Sequence, residues 1–212
     1  NEDLNGIYEY IDDVAAVGID AFIISDLFLI EYINNKYPHI EIHISTQQST
    51  SNYKSTELLK SYGVKRVVLA RELSKLEIKE VIDKTNMDIE VFIHGAMCTF
   101  FSGRCTLSNY LTNRDANRGG CSQVCRFVFN IEKEDEKFSM ATKDLNMAHH
   151  INELIEIGVK SLKIEGRMRS LYYIATVISS YRKIIDAYYN NNLNKDLITY
   201  QEKVLSRVSN RE

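Results

Sequence analysis

Short runs of β-branched and apolar residues alternate with amphipathic helical stretches at nearly regular spacing, the pattern of successive parallel βα units. Five runs read as buried strands: 19–25 (IDAFIIS), 40–45 (IEIHIS), 64–70 (VKRVVLA), 89–94 (IEVFIH) and 159–164 (VKSLKI). Gly18, Gly63 and Gly158 stand just before the first, third and fifth of these. A glycine there suits the left-handed conformation that closes a helix before the chain turns into a strand. Between Arg126 and Lys143 the pattern changes to alternation on both sides of a charged stretch, EKEDE, which predicts an antiparallel hairpin. From Leu171 onward, Ile174, Val177, Ile178, Tyr181, Ile184, Ile185 and Tyr188 recur at helical spacing, with Ser170 as N-cap. These residues are expected to face the sheet.

Five parallel strands cannot close a β/α barrel, which needs eight strands and typically about 250 residues. A doubly wound open sheet would also use five strands, but the Gly-rich first turn that marks one is missing. The pattern therefore predicts an α/β fold of the partial β/α barrel type over 1–190, with a cysteine loop and hairpin insertion at 95–143. Residues 191–212 read as the start of a linker toward a further domain. A first residue Asn1 in place of Met reads as a piece of a longer protein.

With 44% hydrophobic and 26% charged residues, the chain can bury a sizeable core. Its formal net charge of −3 gives no general attraction to nucleic acid or to anionic membrane. No apolar run approaches the roughly 18 residues that span a bilayer, and no basic-then-apolar leader opens the chain. A cytoplasmic protein without a membrane partner is expected. Charge is uneven, however. From 104 to 126, Arg104, Arg114, Arg118 and Arg126 face the single acid Asp115, for a net +3. From 160 to 183, Lys160, Lys163, Arg167, Arg169, Arg182 and Lys183 face only Glu165, for a net +5. These windows predict an anionic substrate.

Barrels of this type carry their functional groups on the loops after the strands. The exits here hold Asp26, then Thr46, Gln47 and Gln48, then Arg71 and Glu72, then 94–98, and finally Glu165, Gly166 and Arg167. Loops are hydrophilic in general, so a single polar exit says little. The arginines say more, because a planar cationic fork suits phosphate or carboxylate. The catalytic candidates are Arg71, Glu72, His94, Lys163, Glu165 and Arg167; the substrate-binding candidates are Gln47, Arg71, Arg104, Lys143 and Arg167.

The four cysteines, Cys98, Cys105, Cys121 and Cys125, fall within 28 residues as C-x6-C-x15-C-x3-C. Cysteines acting as buried apolar residues would scatter along the chain, and disulfides are disfavoured in a cytoplasmic compartment. An iron-sulfur cluster takes four thiolates at varied spacing, and Gly95, Ala96, Gly103, Gly119 and Gly120 would let the loop fold closely around it. Structural zinc is an alternative, although its short knuckle spacing occurs at most once, imperfectly, at Cys121 and Cys125. A cysteine nucleophile paired with His94 is a third reading, and it leaves three cysteines unexplained. His149 and His150 read as surface residues. Neither H-E-x-x-H nor G-x-S-x-G occurs.

The stretch EVFIHGAMCTFFSGRCTLSNYLTNRDANRGGCSQVCR resembles the signature of the collagenase-like peptidase family of unknown catalytic type. STQQS, RVVLAREL, ATKDLNM, SLKIEGRMRSLYYIATVISSYRK and VSNRE extend the resemblance over essentially the whole chain. It implies a barrel whose first strands precede Asn1, a small β-rich domain after Glu212, and a 4Fe–4S cluster held by Cys98, Cys105, Cys121 and Cys125. Better-understood members take part in oxygen-independent hydroxylation of a tRNA wobble uridine, a ribosomal RNA cytidine or a quinone ring. The spacing of the last two cysteines is similar to that of the tRNA branch, in which prephenate supports 5-hydroxyuridine formation. The resemblance thus implies a tRNA hydroxylation enzyme or a component of one, with RNA, an electron donor and a paralogous subunit as partners. Two alternatives stand beside it. One is proteolysis, as the family's name states, for which these residues supply no nucleophile, base and oxyanion set. The other is a non-catalytic, metal-stabilised RNA-binding module.

Overall fold

All five apolar runs become strands in the computed structural model, which describes residues 4–130 and 137–210. The chain divides into two units, Asn1–Ile89 and Glu90–Glu212, with the boundary near the start of the fourth strand.

The first unit runs α1 (Ile7–Ala16), β1 (Ala21–Ile24), α2 (Leu29–Lys36), β2 (Glu41–Ile44), α3 (Tyr53–Ser61), β3 (Arg66–Val68) and α4 (Lys75–Thr85). Both strand pairings are parallel, with Ala21 opposite Glu41 and His43 opposite Arg66. Ile42, Ile44, Val67 and Val68 are fully buried, and the helices contribute Ile33, Leu59 and Val81. Side chains of this size contribute about 1.5–3 kcal/mol each when buried. Gly18 and Gly63 have φ of 80° and 86°, the left-handed closure expected of them. Ser74 and Glu77 form a capping box that starts α4. The 3-10 turn Thr46–Gln48 at the exit of β2 is tied to the exit of β3, because Thr46 Oγ1 donates to the Leu69 carbonyl at 3.1 Å.

The second unit is built on β4 (Asp88–Ala96), followed by α5 (Leu107–Thr112), β5 (Phe129–Asn130), β6 (Lys137–Phe138) and β7 (Asp144–Asn146). It continues with α6 (Ile151–Glu156), β8 (Ser161–Glu165), α7 (Leu171–Tyr189) and α8 (Lys195–Leu205). Strand β8 runs parallel to β4, and Gly158 before it has φ of 94°. The expected hairpin forms as β5 and β6, with Phe129 opposite Phe138 and their rings 5.6 Å apart. Its charged turn lies outside the described residues. The fold class is α/β, a partial β/α barrel with five parallel strands, three in the first unit and two in the second, plus this small antiparallel pair.

Three features depart from the sequence pattern. Strand β7, which the sequence pattern does not mark, pairs antiparallel with β4, placing His94 opposite Asn146 and Ala96 opposite Asp144. Three residues are too few to show alternation, so only the pairing defines this strand. Helix α7 starts at the Ser170 cap as expected, but it buries Tyr173, Val177, Ser180, Tyr181, Ile184 and Ala187, leaving Ile178 exposed. Residues 195–205, expected to begin a linker, form α8 and bury Gln201 and Leu205. Among the described residues no helix is long and apolar enough to cross a membrane.

Tyr181 ties α7 to the strands. Its hydroxyl lies 3.0 Å from the Ile93 carbonyl, 3.1 Å from Asn146 Oδ1, and 3.1 Å from the Met147 N–H that donates to it. Burial holds the phenol well above its usual pKa, so it stays protonated and able to donate. Tyr181→Phe removes all three contacts, although the Met147 N–H also donates to the Ile93 carbonyl at 3.0 Å and the Ala148 N–H to Asn146 Oδ1 at 3.1 Å. A loss of roughly 1–3 kcal/mol is expected in urea unfolding, and an unchanged midpoint would show that the hydroxyl is dispensable.

Candidate functional site

Strand β4 delivers the chain directly into the cysteine loop. Gly95 sits where β7 and β8 both pair with β4, at φ 103°, and a Cβ there would stand 2.3 Å from the Glu165 carbonyl oxygen. Its role is therefore to admit β8. Gly120 is also confined, with a Cβ meeting the Asp115 carbonyl at 2.9 Å, whereas Gly119 faces open space.

Side-chain-to-backbone hydrogen bonds pin the loop next to each cysteine. Thr142 Oγ1 donates to the Met97 carbonyl beside Cys98 at 3.0 Å, and Thr99 Oγ1 donates to the Met140 carbonyl. Asn117 accepts from the Cys105 N–H at 3.2 Å and donates to the Cys105 carbonyl at 3.0 Å. Next to Cys121, the Ser122 N–H donates to the buried Ser108 Oγ of α5 at 2.9 Å. Ser139 Oγ reaches the Cys125 carbonyl at 3.5 Å.

All four cysteines are free thiols; Cys121 is exposed and the other three are half-buried. The Gln123 N–H donates to Cys121 Sγ at 3.4 Å, a contact of the kind that stabilises ligating thiolates. Among the described residues, no group of three or more His, Cys, Asp or Glu side chains is arranged to hold a metal ion. The residues fit a thiolate-bound group in donor chemistry and tethering. They are not gathered into one coordination shell.

The remaining candidates divide between the units. In the first, Gln47 and Arg71 are half-buried and Glu72 is exposed. In the second, Arg104, Lys143 and Arg167 are exposed. The Arg167 N–H and Nε lie 3.2 Å and 3.5 Å from Glu165 Oε1, a loose surface pair that leaves the guanidinium open to an anion. Lys163 is held in place: its Nζ lies 3.0 Å from Glu90 Oε1 and over the Phe92 ring, and Ser161 donates to Glu90 Oε2 at 2.7 Å.

The sequence reading missed Glu90, although a carboxylate inside an apolar run already implies a buried partner. It also missed the pairing of Asp144 with Arg169, which is buried on the carboxylate side. Arg169 donates in addition to the Ser209 carbonyl at 2.7 Å and lies over the Tyr173 ring.

His94 is set apart from Glu90, Phe92 and Lys163. A register shift between Phe92 and His94 breaks the two-residue alternation, and the imidazole packs against Tyr173 and Tyr181 of α7. It is 2% exposed, its Nδ1 lies 3.1 Å from the Tyr181 hydroxyl, and its Nε2 is buried without a partner among the described residues. Burial lowers its pKa to about 4, with Arg169 lowering it further and Asp144 opposing. His149 and His150 are exposed, against Glu202 and Glu153.

The family described as Peptidase family U32 matches residues 1–212. The chain is similar to tRNA hydroxylation protein P1 of Bacillus subtilis, 46% identical over 200 residues, covering 89% of this chain and 47% of the relative. It is 35% identical over 193 residues to a 23S rRNA 5-hydroxycytidine synthase of Escherichia coli, covering 88% and 29%. It is 33% identical over 230 residues to a collagenase of Porphyromonas gingivalis, covering 100% and 55%. A solved U32 peptidase structure is 9% identical with a TM-score of 0.45, covering 76% of this chain and 61% of that one. The chain thus spans about half the length of most curated relatives it matches.

The depressed His94 pKa has a defined consequence. Between its ordinary pKa of 6.5 and about 4, the unfolded chain takes up a proton that the folded chain refuses. Stability contributed by neutral His94 is therefore intact above pH 6.5 and lost as pH falls toward 4, by on the order of 3 kcal/mol. Urea midpoints measured across this range should fall more steeply for the wild type than for His94→Gln; parallel curves would refute the assignment.

Proposed function

This chain belongs to peptidase family U32, and from that premise we propose that it is part of an RNA hydroxylation protein. The reaction is the oxygen-independent, prephenate-dependent conversion of tRNA wobble uridine to 5-hydroxyuridine. The observation that carries this reading is the placement of four free thiols on one pinned loop at the exit of β4. A relative named as a tRNA hydroxylation protein, 46% identical, supports it.

Cys98, Cys105, Cys121 and Cys125 would hold an iron-sulfur cluster, the 4Fe–4S type being expected. When bound, the cluster supplies electron transfer that thiols and carboxylates cannot. The chain's own residues bind and orient. Arg167, exposed beside Glu165, offers two parallel N–H donors to a phosphate or to a prephenate carboxylate. Glu90 fixes the Lys163 ammonium so that its charge has a defined position. Arg71 and Gln47 are the corresponding anion and amide groups of the first unit. The electron donor and any paralogous subunit belong to the whole protein.

The peptidase reading is favoured by the collagenase relative and by the family's name. It needs a nucleophile touching a base. His43 lies against Glu41, His149 against Glu202, His150 against Glu153 and His94 against Tyr181. His39 lies beside the Tyr37 ring, and none of these contacts is to a serine, threonine or cysteine nucleophile, which leaves hydroxylation as the better reading.

Full-length protein purified without oxygen should be brown, absorb broadly near roughly 400 nm and carry about four irons per chain, and each Cys→Ser variant should lose them. Colourless protein with stoichiometric zinc would sink the cluster. In a deletion strain, 5-hydroxyuridine should disappear from wobble positions of a subset of tRNAs. Complementation should need all four cysteines and should weaken with Arg71→Ala or Arg167→Ala. Unaltered nucleosides by mass spectrometry, in a host without a second homologue, would refute hydroxylation.

A further inference from the structure

The cysteine loop displays aromatic rings outward. Phe101 is 72% exposed, Tyr110 85% and Phe127 50%. Each ring is adjacent to a segment whose inner side is already committed. Ser102 is fully buried beside Phe101. On α5, Ser108 is buried and accepts from the Ser122 N–H, which turns Tyr110 away from the body. Val124 is buried in the turn Val124–Arg126, and the Phe127 N–H donates back to its carbonyl at 3.0 Å.

An exposed arginine accompanies each ring in sequence: Arg104 after Phe101, Arg114 after Tyr110 and Arg126 before Phe127. Asp115 is the sole acid from 104 to 126, and this +3 window stands in a chain of net charge −3. Tyr, Phe and Arg are also common at protein–protein contacts, so it is the net charge of +3 in this window, more than its rings, that favours a polyanion. Rings alternating with guanidinium groups suit a backbone of phosphates carrying bases whose faces are free to stack. A duplex hides those faces, so the complementary partner is unpaired.

We propose that the exposed surface of the cysteine loop is the landing surface for single-stranded RNA, with Tyr110, Phe101 and Phe127 stacking bases and Arg104 and Arg114 meeting phosphates. The assignment rests on the RNA reading above and adds where the RNA lies. It also places unpaired nucleotides against the loop that carries the thiols, as an anticodon loop would require.

The test measures binding of full-length protein to a fluorescein-labelled oligouridine and to a fully paired RNA of the same length. The wild type should prefer the oligouridine. Tyr110→Ala and Phe101→Ala should each weaken its binding roughly 5-fold to 150-fold, while Tyr110→Phe keeps it. Arg104→Ala should lower the slope of log affinity against log salt by about 1. Tyr10→Ala, an exposed tyrosine of the first unit, should change nothing. Should Tyr110→Ala melt below the wild type, the Arg104→Ala salt slope decides. Unchanged affinities, equal binding of the duplex, or variants that alter only self-association would overturn the surface. Nucleoside analysis in the same strains separates the two readings. Normal 5-hydroxyuridine with unaffected binding removes the surface alone, whereas absent hydroxylation activity with ring-dependent binding removes the hydroxylase alone.

Discussion

The second unit depends on how closely three strands approach at Gly95. There β7 and β8 both pair with β4, and no side chain larger than a hydrogen fits between the glycine and the Glu165 carbonyl. The positive φ at this point is one that an L side chain adopts only under strain. Because the approach closes both pairings together, it fixes where β4 ends and where the chain leaves the sheet. Cys98 follows three residues later. The return of the chain through β7 then brings Asp144 to the Arg169 side chain, which links the loop after β8 to Ser209 near the end of the described residues.

Buried polar groups give this arrangement its specificity. Tyr181 satisfies groups from β4 and from the segment after β7 with one hydroxyl, and a phenol does this without introducing a charge. Glu90 is 8% exposed and is offset by Lys163 and Ser161. Removing either ionic partner would leave an uncompensated charge, which costs far more than the pair contributes. The basic residues therefore fall into two kinds. Lys163 and Arg169 are bound to carboxylates within the unit, while Arg104 and Arg167 project outward, where a phosphate or carboxylate can reach them. The overall acidity of the chain conceals this division.

Much of the architecture was legible in the sequence because it is encoded locally. Apolar runs of strand length, glycines that close helices in the left-handed conformation and the Ser170 cap each act through neighbours a few residues away, and each appears in the structure where the sequence placed it. The grouping of four cysteines on one loop was equally local. Their common coordination is a different matter, because it requires residues up to 27 positions apart to converge around a metal. The described conformation does not gather them.

Tertiary structure decided what depends on distant partners. Strand β7 exists because β4 has an edge for it; its three residues carry no periodic signal of their own. The inward face of α7 is set by where β4 and β7 present hydrogen-bonding groups to Tyr181, so Ile178 lies outside although helical spacing would place it inside. The alternation of β4 placed His94 with Glu90 and Phe92, and a single register shift moved it to the α7 side, where burial keeps it neutral. A period of two is a property of the chain alone, whereas a bulge is fixed by the strand paired beside it. The sequence by itself thus determined which elements form and which residues could bind metal or anion; only the pairing of β4 with β7 and β8 decided which of them face one another.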